Sequence, residues 1–235
     1  AKDDCSGLPD ADKLARKHID LDLYHPWVLP VDDAIELARE CEQAALDTDK
    51  RISNSEGATV NVHEAQFITA NSLGFIGGYP STSHSVSCVV LGQQNGDMQR
   101  DYWYTAARDW RALEDIEEVG RKAARKAVER LGAGKLSTRK APVLFAPDLA
   151  RGLVGHFVGA ISGAAQYRRS SFLLDAHGQQ VFPEAISLIE RPHIRGALGS
   201  APSDHEGQTD ESREQSHGQS HRGTSIPRVL RSGDF

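Results

Sequence analysis

Several groups of histidine, glutamate, serine and cysteine could carry chemistry, and each can be held against the spacing that chemistry needs. His63 and Glu64 begin like the HExxH of a zinc protease, where two histidines one helical turn apart bind the metal and the glutamate is the base. Position 67 is Phe67, and the segment alternates like a strand, so the pair reads as a surface feature. His217 and His221 stand four apart, but Gly218, Gln219 and Ser220 between them lie in a polar stretch that gives a metal no rigid frame. Ser162, Ser170 and Ser171 lack the GxSxG of a nucleophile elbow. The run Ser53, Asn54, Ser55, Glu56, Gly57 has turn or cap chemistry and is a candidate binding loop. Cys5, Cys41 and Cys88 are odd in number, widely spaced and without a CxxC. They read as free thiols suited to a reducing cytosol rather than a disulfide framework or zinc knuckle. His156 sits in a Gly- and Ala-rich helical stretch, residues 152–163, whose small residues imply close backbone approach and a packed histidine.

The elements that would position these groups follow from periodicity. A short helix is expected over residues 10–17, then an extended linker over 21–27, because Pro26 and Pro30 forbid a long helix. Val31, Ala34, Ile35, Ala38, Cys41, Ala45 and Leu46 form a helical stripe over 31–46, with Asp32 and Asp33 in its first turn. Residues 57–106 alternate as strands, with a turn at 71–74 and the Asn95-Gly96 hairpin signal, and read as an antiparallel meander. Ile116, Val119, Ala123, Ala127 and Leu131 mark a second helix over 116–131, stopped by Gly132 and Gly134. Short strands are expected at 143–145, 181–182 and 186–189, and a helix over 149–162 capped by Asp148. The fold class is therefore α+β: an antiparallel sheet flanked by helices, followed by the start of a second α+β or β-rich domain. The boundaries fall at 1–138 and 139–207, with a disordered tail over 208–235. Residues 203–225 contain no aliphatic residue and no Phe, Tyr or Trp to offset the entropy of ordering.

Charge excludes some functions. Asp and Glu outnumber Lys and Arg by 33 to 27, a net charge of -6. The one dense basic run, Arg121, Lys122, Arg125 and Lys126, is spaced as a solvated helix face, so nucleic acid is not an expected partner. No apolar run reaches the length of a membrane span, and no signal peptide is visible.

Longer stretches carry a family resemblance. They are Arg51 to Gly57 (RISNSEG), Asn71 to Phe75 (NSLGF), Gln99 to Tyr104 (QRDYWY), Gly155 to Gly163 (GHFVGAISG) and Tyr167 to Asp175 (YRRSSFLLD). Together, from about Cys5 to about Gly207, they resemble the TldD/PmbA metalloprotease family, on its TldE-type side. The resemblance implies a heterodimeric cytoplasmic peptidase that trims unfolded peptides, including the leader of a modified peptide antibiotic. Its zinc is held by an HExxxH in a TldD-type partner subunit, helped by a Cys further along. The corresponding window here begins at His156, with Phe157 in place of the glutamate and Ile161 in place of the second histidine. The resemblance thus implies no catalytic residue and no metal or cofactor in this chain, with His156 structural. A peptidase active by itself and a truncated, non-functional remnant are the alternatives. The resemblance also implies that the chain opens after a missing upstream part. Past Gly207 the family turns apolar again while this sequence stays polar, so a frameshift is expected near residues 208–215.

Overall fold

The computed structural model describes residues 7–8, 10–17, 19–186, 188–204 and 207–208. The chain divides into two compact units, Arg16–Leu136 with His193–Gly207, and Ser137–Pro192 with the described residues before Arg16 and Gln208. The segment His193–Gly207 packs with the first unit.

In the first unit, helix α1 (Val31–Leu46) precedes a three-stranded antiparallel sheet of β1 (Ile52–Ala70), β2 (Ile76–Gln94) and β3 (Asp97–Ala107), in spatial order β1-β2-β3. Helix α2 (Ile116–Glu129) follows. The meander, both helices and the α+β class are as the periodicity predicts. The β2–β3 connection is a two-residue loop between paired Gln94 and Asp97. Asn95 and Gly96 take φ of 52° and 82°, the left-handed pair that matches strand twist in a type I′ turn. Residues 53–57, expected as a loop or cap, instead belong to β1. Register shifts at Ile52/Asn54 and Ser55/Gly57 absorb the polar residues as bulges, and Gly57 supplies φ of 101°.

Alternation on β2 makes the core. Thr82, His84, Val86, Cys88 and Val90 are buried, and the last three join Cys41 and Ala45 of α1 with Val119, Ala123, Ala124 and Ala127 of α2. Each buried valine is worth roughly 1.5–3 kcal/mol of apolar transfer. The α1 stripe is covered only in its second half, since Val31 and Ile35 remain exposed. The basic face of α2 is outward and paired: Arg121 meets Glu117 at 2.9 Å and Glu118 at 3.2 Å. Lys122 and Lys126 each lie 5.2 Å from the Trp103 ring centroid.

Other expectations meet a different outcome. Over residues 10–17 only a 3-10 turn forms, Ala11–Lys13, without a side-chain cap or buried residue. Residues 143–145, 181–182, 186 and 188–189 are irregular rather than strands. Val143 and Leu144 are exposed, and a two- or three-residue apolar run cannot satisfy its backbone as a strand without a neighbour to pair with. The remaining helices, α3 (Pro147–Ile161) and α4 (Gly163–Tyr167), lie in the second unit. Among the described residues no helix is long and apolar enough to cross a membrane.

The tightest contact is at Gly120. A Cβ there would lie 2.0 Å from the Cys41 carbonyl oxygen and 3.1 Å from the Ala45 nitrogen, both backbone atoms of α1. Gly120→Ala should therefore force α1 and α2 apart and destabilise the first unit by about 2–4 kcal/mol, despite the ~1 kcal/mol gain in helix propensity. Urea denaturation midpoints read this directly; an unchanged or raised midpoint would contradict the packing.

Candidate functional site

Helix α3 carries the His156 window. Pro147 at its first position and Asp148 in its first turn suit a helix start; Asp148 lies inside the helix, and the cap position is Ala146. The helix ends at Ile161, and Ser162 opens α4, its hydroxyl accepting the Ala165 N–H at 3.4 Å. Gln166 of α4 donates to the Ala160 carbonyl at 2.8 Å and the Leu173 carbonyl at 3.3 Å, joining the two helices to the following loop.

His156 is exposed, Phe157 and Ile161 are half-buried, and Ala160 is buried. The Phe157 ring meets Phe182 edge-on, with centroids 5.0 Å apart and planes at 71°. Of the three window side chains, only the His156 imidazole has an atom that can bind a metal. Zinc hydrolysis needs about three protein ligands and a base, so this window does not fit a zinc centre. The close approach expected around Gly152, Gly155 and Gly159 does not occur among the described residues: nothing lies within 4 Å of a Cβ added at any of them. Leu149, Leu153, Val154 and Val158 are exposed on the same helix.

The other sequence candidates are dispersed. His63 and Glu64 lie on β1, where Glu64 accepts a hydrogen bond from the Tyr24 hydroxyl. Ser171 accepts the Leu173 N–H at 2.9 Å, and Ser170 donates weakly to the Ala165 carbonyl at 3.5 Å. Cys41 and Cys88 are buried free thiols in the first unit. Cys5, His217 and His221 lie outside the described residues.

A polar cluster that the sequence reading passed over lies in the first unit. The segment read as a linker is an ordered strap: Leu21 and Leu23 are buried, and the Thr82 N–H donates to the Leu23 carbonyl at 2.9 Å. The His25 N–H donates to Thr82 Oγ1 at 2.9 Å, and His84 Nε2 lies 2.9 Å from the His25 carbonyl oxygen. The His25 ring stands between Asp22 at 3.3 Å and Asp109 at 3.8 Å. Arg108 donates to the carbonyls of Leu198 at 2.7 Å, Thr82 at 3.1 Å and Ala197 at 3.4 Å, so it pins His193–Gly207 to the sheet. A cleft of about 420 Å³ is lined by Asp22, His25, Arg108, Asp109 and Arg195 among others. The signal for this cluster was available: Thr82 and His84 continue the two-residue alternation of Val86, Cys88 and Val90, which places both side chains on the core face.

The description "PmbA/TldA metallopeptidase central domain" matches residues 24–131, and "PmbA/TldA metallopeptidase C-terminal domain" matches residues 138–214. The chain belongs to the PmbA/TldD metallopeptidase family. It is 48% identical over 212 residues to Metalloprotease PmbA of Escherichia coli O157:H7, covering 90% of this chain and 47% of that protein. It is 46% identical over 212 residues to the Haemophilus influenzae Metalloprotease PmbA homolog, with the same coverage, 90% and 47%. The chain thus spans about half the length of these family members. The fold is shared with a Bacteroides thetaiotaomicron protein assigned as a modulator of DNA gyrase, at a TM-score of 0.84, 24% identity, and 99% and 58% coverage of the two chains. It is shared also with TldE from Thermococcus kodakarensis, at 0.61, 19% identity, and 82% and 45% coverage.

Two outcomes follow from the cluster. Arg108→Ala leaves the part-buried carbonyls of Thr82 and Ala197 and the exposed carbonyl of Leu198 without this donor and should cost about 1–3 kcal/mol, with amide exchange accelerated first in His193–Gly207. Uniform exchange in that segment and the parent protein would contradict the pinning role. The Asp109 carboxyl is lowered to about 2 by hydrogen bonds from the Arg111 side chain and N–H, with His25 adding a smaller effect. A depressed carboxylate stabilises the fold fully above its unfolded value of about 3.9, and this contribution disappears as pH falls toward 2. Asp109→Asn should flatten the stability profile within that window, and an unchanged acid limb in denaturation curves would refute the assignment.

Proposed function

We propose that this chain is the non-zinc subunit of a TldD/TldE-type metallopeptidase that trims unfolded or leader peptides in the cytoplasm. The observation that carries this reading is the window on α3. Where a zinc-protease helix needs a base and a second ligand, this chain has Phe157 and Ile161. Phenylalanine accepts no proton and isoleucine ligates no metal, so the hydrolytic centre belongs in a partner subunit with HExxxH.

The chain's own contribution is to complete the cavity and hold substrate. β1 is an edge strand of 19 residues containing neither Pro nor Lys, the residues that most often protect an edge. Beyond its bulges it pairs in regular register with β2 from Gly57 to Ala70. Such an edge accepts an extended peptide by main-chain hydrogen bonds, which favours unfolded substrates over folded ones.

The test is reconstitution with a TldD-type subunit. Peptide cleavage should arise only in the mixture, and tightly bound zinc should fractionate with the partner. Cleavage by the isolated chain, or stoichiometric zinc in it, would overturn the assignment. Failure of the full-length protein to associate with any such partner would sink the subunit reading.

A further inference from the structure

Two thiols in the first unit remain unused by any role described so far. Cys41 on α1 and Cys88 on β2 are each 0% exposed and pack in one apolar cluster where α1 lies on the sheet. They come from elements separated by a long stretch of chain, so a covalent link between them would join the helix layer to the central strand. We propose that Cys41 and Cys88 are an oxidisable dithiol that closes to a disulfide and ties α1 to β2.

The surroundings favour a reaction within the pair. The neighbouring Cys41 thiol holds Cys88 below the ordinary thiol range, while the Cys88 thiol and burial hold Cys41 above it. Of the two, Cys88 is the more readily deprotonated and Cys41 the one that keeps its proton. Access comes through α1, which fully buries only Cys41 and Ala45 and leaves Val31 and Ile35 exposed. A helix held by so few buried residues opens locally more readily than the sheet. The oxidant this site admits is a hydroperoxide, small enough to enter during such an opening.

The chemistry balances in two steps. The Cys88 thiolate attacks one peroxide oxygen and the O–O bond breaks; Cys88 becomes a sulfenic acid, and the leaving hydroxide takes a proton to give water. The Cys41 sulfur then attacks the Cys88 sulfur, the S–O bond breaks, and the hydroxyl leaves with the Cys41 proton as a second water. Two thiols lose two electrons and one peroxide gains them.

The experiment uses the full chain carrying Cys5→Ser, so that only the pair can react. After hydrogen peroxide treatment, unfolding and alkylation, mass spectrometry should find one peptide from α1 linked to one from β2 and a mass lower by two hydrogens. The Tm should rise by about 5–10 °C on oxidation and return with dithiothreitol, because the crosslink restricts the unfolded chain. Cys41→Ala should abolish both effects; should that variant not fold, the linked peptide decides alone. Alkylation of both cysteines after treatment, or sulfinic acid at Cys88 without linkage, would overturn the proposal.

Discussion

Backbone contact between the two helices at Gly120 is the constraint on which the first unit rests. Because a Cβ there would meet the Cys41 carbonyl oxygen at 2.0 Å, α1 and α2 can approach only with glycine at this position. That approach sets how both helices lie on β2, and many of the buried residues there are small: Ala45, Ala123, Ala124 and Ala127, beside Val119. Small residues give little apolar area each, so the layer is stabilised by closeness and by the valines of β2 rather than by large side chains.

The sheet extends beyond this core, and polar chemistry takes over where the helices end. Val86, Cys88 and Val90 face the helices, while Thr82 and His84, further along the same face of β2, meet the strap. Buried polar groups need partners, and the strap backbone supplies them to Thr82 and to His84 Nε2, while His84 Nδ1 is left without one among the described residues. Arg108 then recruits the carbonyls of a segment nearly ninety residues away in sequence. One β strand thus organises a dry half and a hydrogen-bonded half, and the strap and His193–Gly207 belong to the unit through the second.

The proposed peptidase role is compatible with this architecture through two features. Helix α3 carries a window with one imidazole and two hydrocarbon side chains, and the Phe157 ring is engaged with Phe182. The sheet offers a long edge. On the proposed reading, the edge would bind substrate and the ligands for the chemistry would come from another subunit.

Periodicity alone determined the two long helices, the meander and the Asn95-Gly96 hairpin, because each is set by residues close in sequence. The identities of His156, Phe157 and Ile161 likewise determined what that window can and cannot ligate. Tertiary structure decided the rest. Residues 53–57 carry loop chemistry yet form strand, since pairing with β2 outweighs local turn preference. Residues 143–145 are apolar yet irregular, since no adjacent strand satisfies their backbone. The strap, the Arg108 contacts and the Cys41–Cys88 pair join segments distant in the chain, and such contacts leave no local pattern to read. The candidate groups are therefore legible in the sequence as chemistry, while their positioning depends on long-range packing.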